Sequence, residues 1–410
     1  MTTGRTQGDP VSVRTLLICA IWILILSMGV RHAFGLFLPP MTAAYGWGRE
    51  EFAFAMGLQN LMWGVAQPFA GAVGDRFGTH RVLAAGAVLY TLGLLGMAWS
   101  ETPLTLALTG GVLIGVAHAC TTYSVVFGAL GRRISPEKRS SAMGLISAAG
   151  SFGQFVMLPI SFELISRLGW FETLLVFAAI VALIMPLARG LLETPDHSHA
   201  AGAHSQTIGA ALREALSDRS YLLLSLAYFV CGFQVVFIGV HLPAYLKDMN
   251  MPLYVAPIAL GLIGLFNIFG SYGAGVLGGK LPQRYVLASI YLLRSLAIVV
   301  FLLVPISPWS VYLFSAAMGV LWLSTVPPTN GIIAVLFGMK NFSMLSGVSF
   351  FSHQVGSFLG VWLGGYVYDK VGNYNVVWTL IIVSGLIAAL MHLPINERPL
   401  ARAAPAPAPA

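Results

Sequence analysis

The chain has 410 residues, of which 57% are hydrophobic and 9% are charged, and its formal net charge at pH 7 is +7. A soluble domain carries about 25% charged residues, so this composition excludes a water-soluble globule and predicts an integral membrane protein in a lipid bilayer. The basic residues lie mainly in the loops between apolar runs, which argues against a nucleic-acid partner.

Twelve long apolar runs are separated by glycines, prolines and charged clusters, and a helical span needs about 20 apolar residues. We therefore predict an all-α membrane protein with twelve transmembrane helices. The predicted spans are 13–38, a run ending near 74, a run ending near 100, 104–130, 141–160, a run ending near 189, 221–246, 255–278, 286–305, 309–337, 344–368 and a run ending near 394.

The charges between the spans predict the orientation. With the N-terminus inside, sixteen of the 22 Lys and Arg residues fall on the cytoplasmic side and four fall outside. Such an excess of basic residues is typical of cytoplasmic loops, so both termini are predicted to be cytoplasmic. The polar N-terminus leads straight into a full-length span, and we expect that span to serve as its own insertion signal.

A polar stretch near the middle of the chain divides it into two halves. Its three histidines (His197, His199, His204) could bind a metal ion, but a solvated loop is the simpler interpretation, and all three cysteines fall within spans. No metal site or disulfide framework is predicted. The predicted division is an N-terminal six-helix bundle (1–190), a cytoplasmic linker (191–219), a C-terminal six-helix bundle (220–397) and a disordered Ala/Pro tail (398–410).

A glycine-rich loop follows the second span and recurs in degraded form 204 residues later. The first copy reads GAVGDRFGTHR and the second reads GVLGGKLPQRY, so Gly279 replaces the aspartate and Pro282 replaces a glycine. Glycines let helices approach closely, and an aspartate can pair with a cation or with a helix N-terminus. We predict a conformational latch in the first half, formed by Gly71, Asp75, Arg76, Gly78 and Arg81.

The spacing Gly-x-x-x-Asp-Arg-x-Gly-x-x-Arg after a second apolar span resembles the loop signature of the major facilitator superfamily of secondary transporters. The resemblance implies two six-helix bundles that rock around a site at mid-membrane. Residues 45–81, 132–159 and 353–369 further resemble the monocarboxylate transporter group and its oxalate/formate antiporter-like relatives.

In the monocarboxylate transporter group, a basic side chain in the first span and an arginine in the eighth help to hold the substrate carboxylate. Arg31 corresponds to the first of these. The second is missing, because Asn267 is present but Ser271 stands where the arginine would follow four residues later. The resemblance therefore supports the fold more strongly than the substrate.

Two arginines lie within predicted spans, whereas all fifteen acidic residues fall in loops, at span ends or in the tails. A charge inside the membrane is costly without a partner, so the simplest partner for Arg31 is an anionic substrate, whose carboxylate fits the planar guanidinium. Arg31 could instead lie near the outer surface or pair with backbone carbonyls. Arg294 is an uncertain buried charge that either touches substrate or binds helix ends.

Histidine titrates near neutral pH, and His118 and His353 lie near the centres of the fourth and eleventh spans. They are our candidates for proton coupling, although neutral histidines within the helix packing are an equal alternative. Pro327 and Pro328 should break the tenth span where protein or water satisfies the freed carbonyls. The predicted substrate-binding residues are Arg31, His118, Tyr123, Gln154, Asn267, Trp322, Asn330 and His353.

The sequence has no phosphate-binding loop ending in Gly-Lys-Ser/Thr and no nucleophile–base constellation, so we predict neither a pump driven by ATP, nor an enzyme, nor a cofactor. The predicted function is secondary active transport of a small organic anion, a monocarboxylate, by proton symport or anion exchange. Transport of a larger amphipathic or drug-like solute is the alternative, favoured by Trp63 and Trp322, and a non-transporting sensor is the remote one. We expect a monomer in a bacterial inner membrane.

Overall fold

The computed structural model describes residues 11–134, 136–192, 208–338 and 342–399. Within these ranges the chain consists of helices joined by short turns. The side chain of Asp75, residues 193–207 of the predicted linker with their three histidines, and residues 400–410 of the predicted tail lie outside the described part. The charge of the latch therefore stays a prediction.

Twelve long helical segments follow one another, and in the described residues ten are long and apolar enough to cross a membrane. A shorter helix, Ile208–Ser217, precedes the seventh. The fifth is longer than its predicted span. The segments are α1 (Val13–Tyr45), α2 (Arg49–Phe77), α3 (Thr79–Ala98), α4 (Pro103–Leu130), α5 (Pro136–Leu168), α6 (Trp170–Leu191), α7 (Arg219–Asp248), α8 (Val255–Gly278), α9 (Gln283–Leu303), α10 (Pro308–Phe337), α11 (Phe342–Val371) and α12 (Asn375–His392).

The starts of α4 and α10 show that the repeat extends beyond the glycine-rich loop. Residues 102–105 read Thr-Pro-Leu-Thr and residues 307–310 read Ser-Pro-Trp-Ser. In each copy the first hydroxyl accepts a hydrogen bond from the fourth backbone N–H at 3.2 Å, and the proline occupies the first helical position. Both features favour helix initiation, so the fourth helix of each half begins with the same local signal.

The helices pack into two groups of six, and the largest contacts between the groups run along two lines. In the first group α1 packs on α5 and α3 packs on α4 and α6, while in the second group α7 packs on α11, α8 on α10 and α9 on α12. Between the groups, α2 packs on α11 and α5 packs on α8. We call these two contacts the α2–α11 seam and the α5–α8 seam.

Glycine allows the closest of these helix contacts. A Cβ added at Gly270 of α8 would stand 1.8 Å from the carbonyl oxygen of Val320 on α10, so the two backbones touch there. Without a hydrophobic force between helices in lipid, such small-residue contacts hold a bundle together by close packing.

We expect Gly270→Ala to destabilise the protein by roughly 2–3 kcal/mol, because the added methyl group must push α8 away from α10. Gly273→Ala is the matched control, since no described atom lies within 4 Å of its Cβ position on the same helix. Thermal unfolding of the two purified variants in one detergent checks this. Equal midpoints would contradict the close contact.

The α2–α11 seam is closed over part of its length only. Cβ atoms added at Gly57 and Gly64 of α2 would stand 3.0 Å from Phe358 and 2.9 Å from the Cβ of Gln354 on α11. Gly71 lies seven residues further along the same helix face, and no described atom lies within 4 Å of its Cβ position. The two helices have separated by that point.

The α5–α8 seam behaves in the same way. Asn267 of α8 donates a hydrogen bond to Ser151 Oγ of α5 at 3.0 Å, whereas Gly144, seven residues earlier on α5, again has no described atom within 4 Å of its Cβ position. Both seams therefore open toward the end of the molecule that carries the loop 71–81. We call that end the motif end.

Polar contacts join the two halves at the opposite end, which we call the closed end. The carboxylate of Asp369 accepts hydrogen bonds from the backbone N–H groups of Arg49 (3.0 Å) and Glu50 (2.7 Å) and so caps the N-terminus of α2. The Arg49 guanidinium bonds Asp248 at 2.6 Å and the Tyr374 hydroxyl at 2.8 Å. Burial raises the pKa of Tyr374, so its hydroxyl stays protonated.

Candidate functional site

Arg31 lies in the last turn of the first helical part of α1, Val13–His32. Its Nη2 donates to Asn60 Oδ1 of α2 at 2.8 Å, and its Nη1 lies 3.4 Å from His32 Nε2. The guanidinium carbon lies 4.7 Å from the ring centroid of Trp63 on the same helix α2. Its Nε is buried without a hydrogen-bond partner among the described residues.

No carboxylate among the described residues forms an ion pair with Arg31. A guanidinium has five N–H donors, and here an amide oxygen and an imidazole account for two of them. The remaining donors include the buried Nε, whose unmet hydrogen bond is itself unfavourable. The arrangement leaves N–H donors of Arg31 for an oxyanion, a ligand that a guanidinium binds through two parallel N–H···O bonds.

Asn60 and His32 were not predicted, although both contact Arg31. Gln59 and Asn60 are adjacent polar residues in an apolar helix, and their sequence does not indicate which of them faces α1. In the structure Gln59 turns to α4, where its Nε2 donates to the carbonyl oxygen of Gly110 at 2.7 Å. That carbonyl belongs to the π-helical turn Ala107–Leu113.

His118 is fully buried, and neither ring nitrogen has a partner among the described residues. Its ring lies 4.9 Å from that of Tyr90 and 5.7 Å from that of Trp63. Buried polar atoms are rarely left unpaired, so the ring nitrogens of this imidazole could pair with a ligand or a water molecule.

His353 lies on the other half of the molecule, on α11. Its Nδ1 is 3.2 Å from Gln354 Oε1, and its ring is parallel to that of Phe350, with centroids 5.9 Å apart. Phe350 in turn makes an edge contact with Trp63 at 5.3 Å. The four rings of His118, Trp63, Phe350 and His353 therefore form a continuous row across the α2–α11 seam, which we call the aromatic row.

Three other predicted substrate-binding residues contact groups other than Arg31. Tyr123 is partly exposed, and its hydroxyl rests on α5, where a Cβ added at Gly150 would be 2.1 Å away. Gln154 donates to the carbonyl oxygen of Leu260 at 3.0 Å across the α5–α8 seam. Asn330 donates to a carbonyl of its own helix at 3.1 Å.

Asn267 connects three helices. Besides its bond to Ser151 of α5, its Oδ1 accepts from Ser271 Oγ of α8 and from the backbone N–H of Leu323 in α10, both at 3.0 Å. Leu323 lies where α10 is interrupted. Three of the four hydrogen-bonding positions of the Asn267 amide are therefore occupied by protein groups.

Arg294 donates hydrogen bonds to the backbone where α10 is interrupted. It is fully buried, its Nε donates to the carbonyl oxygen of Leu321 at 2.9 Å, and its Nη2 donates to that of Trp322. These carbonyls end the first part of α10, Pro308–Leu321, before the second part begins at Val326 with Pro327 and Pro328. Arg294 thus binds a helix end, which is one of the two alternatives that the sequence leaves open. It also bonds the backbone carbonyl of Trp322, a predicted substrate-binding residue.

The first half contains a related arrangement without the charge, in which the bonded carbonyl belongs to the first helix and not to the interrupted fourth one. Tyr90 precedes Arg294 by 204 residues, and its hydroxyl donates to the carbonyl oxygen of Ser27 at 3.3 Å. The Ser27–Thr121 pair (3.1 Å) corresponds to the Cys231–Thr325 pair (3.3 Å). Thr121 is the last residue before the interruption of α4, and Thr325 is the last residue before the second part of α10 begins. Both halves therefore interrupt their fourth helix, at neighbouring positions of the repeat.

Relatives of this chain include curated transporters. It is 25% identical over 380 residues to an uncharacterized MFS-type transporter, YcxA, of Bacillus subtilis (strain 168), covering 91% of this chain and 92% of that protein. It is 25% identical to monocarboxylate transporter 13 of Bos taurus (90% of this chain, 89% of that protein) and 27% identical to monocarboxylate transporter 11 of Mus musculus (88% and 83%).

Among solved structures, the chain resembles a bacterial homolog to the human lysosomal transporter Spinster in an inward-facing and unoccupied conformation. The TM-score is 0.74 at 14% identity, over 92% of this chain and 95% of that one, which establishes a shared fold. The family model of the Major Facilitator Superfamily matches residues 17–341. The chain therefore belongs to the Major Facilitator Superfamily and is an integral membrane transporter with the fold of that family.

Proposed function

We propose that this protein is a secondary transporter of a small organic anion, a monocarboxylate, which binds at Arg31. The observation that carries the proposal is the surroundings of Arg31 in the described residues: a cation with an amide, an imidazole and an indole around it and no carboxylate. A fixed charge inside a membrane protein needs a counter-charge, and a transported anion supplies one.

The names of relatives support the class of substrate. Two of them are monocarboxylate transporters by name and align with most of this chain. The C-terminal half of this chain offers the remaining N–H of the Asn267 amide and the hydroxyl of Ser271, and Arg294 is occupied by carbonyl oxygens. Among the described residues, Arg31 is the arginine of a predicted span that is not occupied by carbonyl oxygens, and a single cation suits an anion with one negative charge better than a dicarboxylate.

Our proposal for the transport cycle is rocking of the halves 1–190 and 220–397 around this site, joined by the linker 191–219 and followed by the tail 398–410. The contacts at the closed end and the separation at the motif end support alternating access, with the motif end in the cytoplasm. We propose a monomer in the bacterial inner membrane with both termini in the cytoplasm. The loop residues Gly71, Asp75, Arg76, Gly78 and Arg81 would latch the motif end when it closes.

Coupling is proposed to be proton symport or anion exchange. His118 and His353 are the proton-binding candidates for symport, because they stand at the two ends of the aromatic row that passes Arg31. If neither takes up a proton during transport, the counter-charge of Arg31 must be replaced by a second anion, which is exchange.

The proposal is tested with purified protein in proteoliposomes. We expect saturable uptake of at least one radiolabelled monocarboxylate from acetate, lactate, pyruvate and benzoate, and no saturable uptake of the neutral isostere lactamide. Acceleration by an imposed pH gradient indicates symport, and acceleration by the same anion inside the vesicles indicates exchange. Absence of saturable flux for every anion of the panel and for succinate would overturn the proposal.

A larger amphipathic solute is the second candidate. Trp63 and Phe350 of the aromatic row, together with the tilted contact of Tyr228 with His353 at 4.8 Å, form an aromatic wall that an apolar solute could contact. The net charge of the substrate separates the candidates. Saturable transport of a neutral or cationic aromatic solute that does not depend on Arg31 would favour this second function.

A further inference from the structure

We propose that Trp63 is a positioning residue that connects the charge of Arg31 to the closure of the α2–α11 seam. The inference rests on the proposed function, because it concerns what a bound anion does after it reaches Arg31. In this role Trp63 senses whether the cation is neutralised and transmits that state to α11.

Trp63 touches both partners directly. The Arg31 guanidinium from α1 lies over its ring at 4.7 Å, and Phe350 from α11 meets it edge to face at 5.3 Å. The Trp63 side chain is only 8% exposed, so both contacts are shielded from water. One rigid ring therefore stands between the proposed anion-binding cation and the opposite half of the molecule.

A second contact ties the indole to the N-terminal half. Its Nε1 donates to Gln67 Oε1 at 2.7 Å, and Gln67 Nε2 donates to the carbonyl oxygen of Ala119 at 3.3 Å. Ala119 belongs to the part of α4 that ends at Thr121, just before the interruption at Thr122. The ring is thus tied to the N-terminal half and not free to follow α11.

The Trp63–Phe350 contact lies where the α2–α11 seam begins to open. It neighbours Gly64, where α2 and α11 are in contact, and precedes Gly71, where they have separated. Phe350 correspondingly stands on α11 between Gly347, which has no described atom within 4 Å of its Cβ position, and Gln354, which packs on Gly64. The Trp63–Phe350 contact is therefore at the edge of the closed part of the seam.

A cation attracts the face of an indole through the ring quadrupole, and the attraction depends on the net charge above the ring. With the site empty, the uncompensated charge of Arg31 adds to the Gln67 hydrogen bond in fixing the Trp63 ring against Phe350. When a carboxylate binds the N–H edge of Arg31, the pair is neutral and its attraction for the ring falls. The α2–α11 seam then separates more easily, so opening of the closed end follows anion binding.

The test measures seam opening and anion binding separately. Spin labels at Ala44→Cys and Val371→Cys, in a Cys19→Ala, Cys120→Ala, Cys231→Ser background, report the separation of the two halves at the closed end in lipid nanodiscs. Ala44 and Val371 are exposed, and Ser27 occupies the place of Cys231 in the first repeat. Binding of acetate, lactate, pyruvate and benzoate is measured on the same samples by calorimetry, with lactamide as the neutral control.

In the protein with Trp63 intact, a bound carboxylate should shift the distance distribution toward the separated population. Trp63→Leu keeps Arg31 and its Asn60 partner, so it should still bind the same carboxylate, more weakly, yet at saturating carboxylate its distance distribution should no longer respond. Trp63→Phe keeps a ring against both partners and should retain part of the response. Asn60→Ala, the matched control, should bind roughly tenfold more weakly and respond fully at saturation.

Each alternative outcome overturns the inference in a recognisable way. A full distance response in Trp63→Leu shows that the seam does not use this ring. Loss of anion binding in Trp63→Leu makes Trp63 a binding residue and not a positioning one. If no anion of the panel binds even with Trp63 intact, the proposed function fails first, and the inference falls with it.

Discussion

Replacing Arg31 by glutamine should lower anion transport about 100-fold or more, because two charge-assisted hydrogen bonds to the substrate carboxylate are lost. The same change should leave the protein at least as stable, since it removes a cation that lacks a carboxylate partner among the described residues. Anion uptake into proteoliposomes, together with thermal unfolding of the purified variant, measures both effects.

Arg31→Lys is the matched control for that experiment. Lysine keeps the charge but loses the planar fork, so we expect partial activity, reduced about tenfold. Wild-type transport by the glutamine variant would show that the anion takes its charge partner elsewhere. A variant that fails to fold would show instead that Arg31 is structural.

Arg294→Met is expected to destabilise the protein by roughly 3 kcal/mol or more. The change leaves the carbonyl oxygens of Leu321 and Trp322 without the donors that hold the interrupted α10, and each buried unpaired carbonyl costs about 1–3 kcal/mol. Removing a buried cation is favourable, but here that cation already bonds two carbonyls and Cys231 Sγ, so its desolvation is largely offset. Thermal unfolding in one detergent measures the change.

Tyr90→Phe provides the comparison for Arg294, because Tyr90 holds the equivalent place in the first half. It loses a single hydrogen bond of 3.3 Å to the carbonyl oxygen of Ser27, and we expect a loss of about 1 kcal/mol. If both variants unfold at the same temperature, Arg294 does not support the interruption of α10. Retained stability together with lost transport would place Arg294 in the substrate path.

The helices were predictable because a membrane span needs about 20 apolar residues, and apolar runs of that length are visible in the sequence. The repeat was predictable because the loop 71–81 and the segment 275–285 follow apolar spans at the same spacing, although several of their residues differ. The interruption near Pro327 and Pro328 also follows from local chemistry, since proline removes a helical hydrogen bond. The family match over residues 17–341 and the fold of the Spinster homolog bear out the predicted fold class.

The partners of the polar side chains were not predictable from local sequence. Asn267 was interpreted as a substrate ligand, whereas its amide is largely occupied by Ser151, Ser271 and Leu323. Those contacts come from α5, α8 and α10, and a helical stripe does not reveal which neighbour it faces. For the same reason, the sequence does not indicate that Asn60, and not Gln59, contacts Arg31. The substrate role of the predicted site residues stays a proposal.

The interruption of α4 carried no proline or other strong signal. Thr122 is extended there, between helical parts that end at Thr121 and begin at Tyr123. Its counterpart in α10 could be expected from the paired prolines, and the repeat would have carried that expectation back to α4. Internal repeats thus allow a strong signal in one half to predict structure in the other.

The central claim is that the counter-charge of Arg31 comes from the transported solute. Calorimetric titration of the purified protein with a carboxylate and its uncharged amide, such as lactate and lactamide, tests it most directly when done on wild type and Arg31→Gln side by side. We predict that the wild type binds the carboxylate and not the amide, and that the variant binds neither. Equal affinity of the wild type for both ligands, or undiminished carboxylate binding by the variant, would contradict the account.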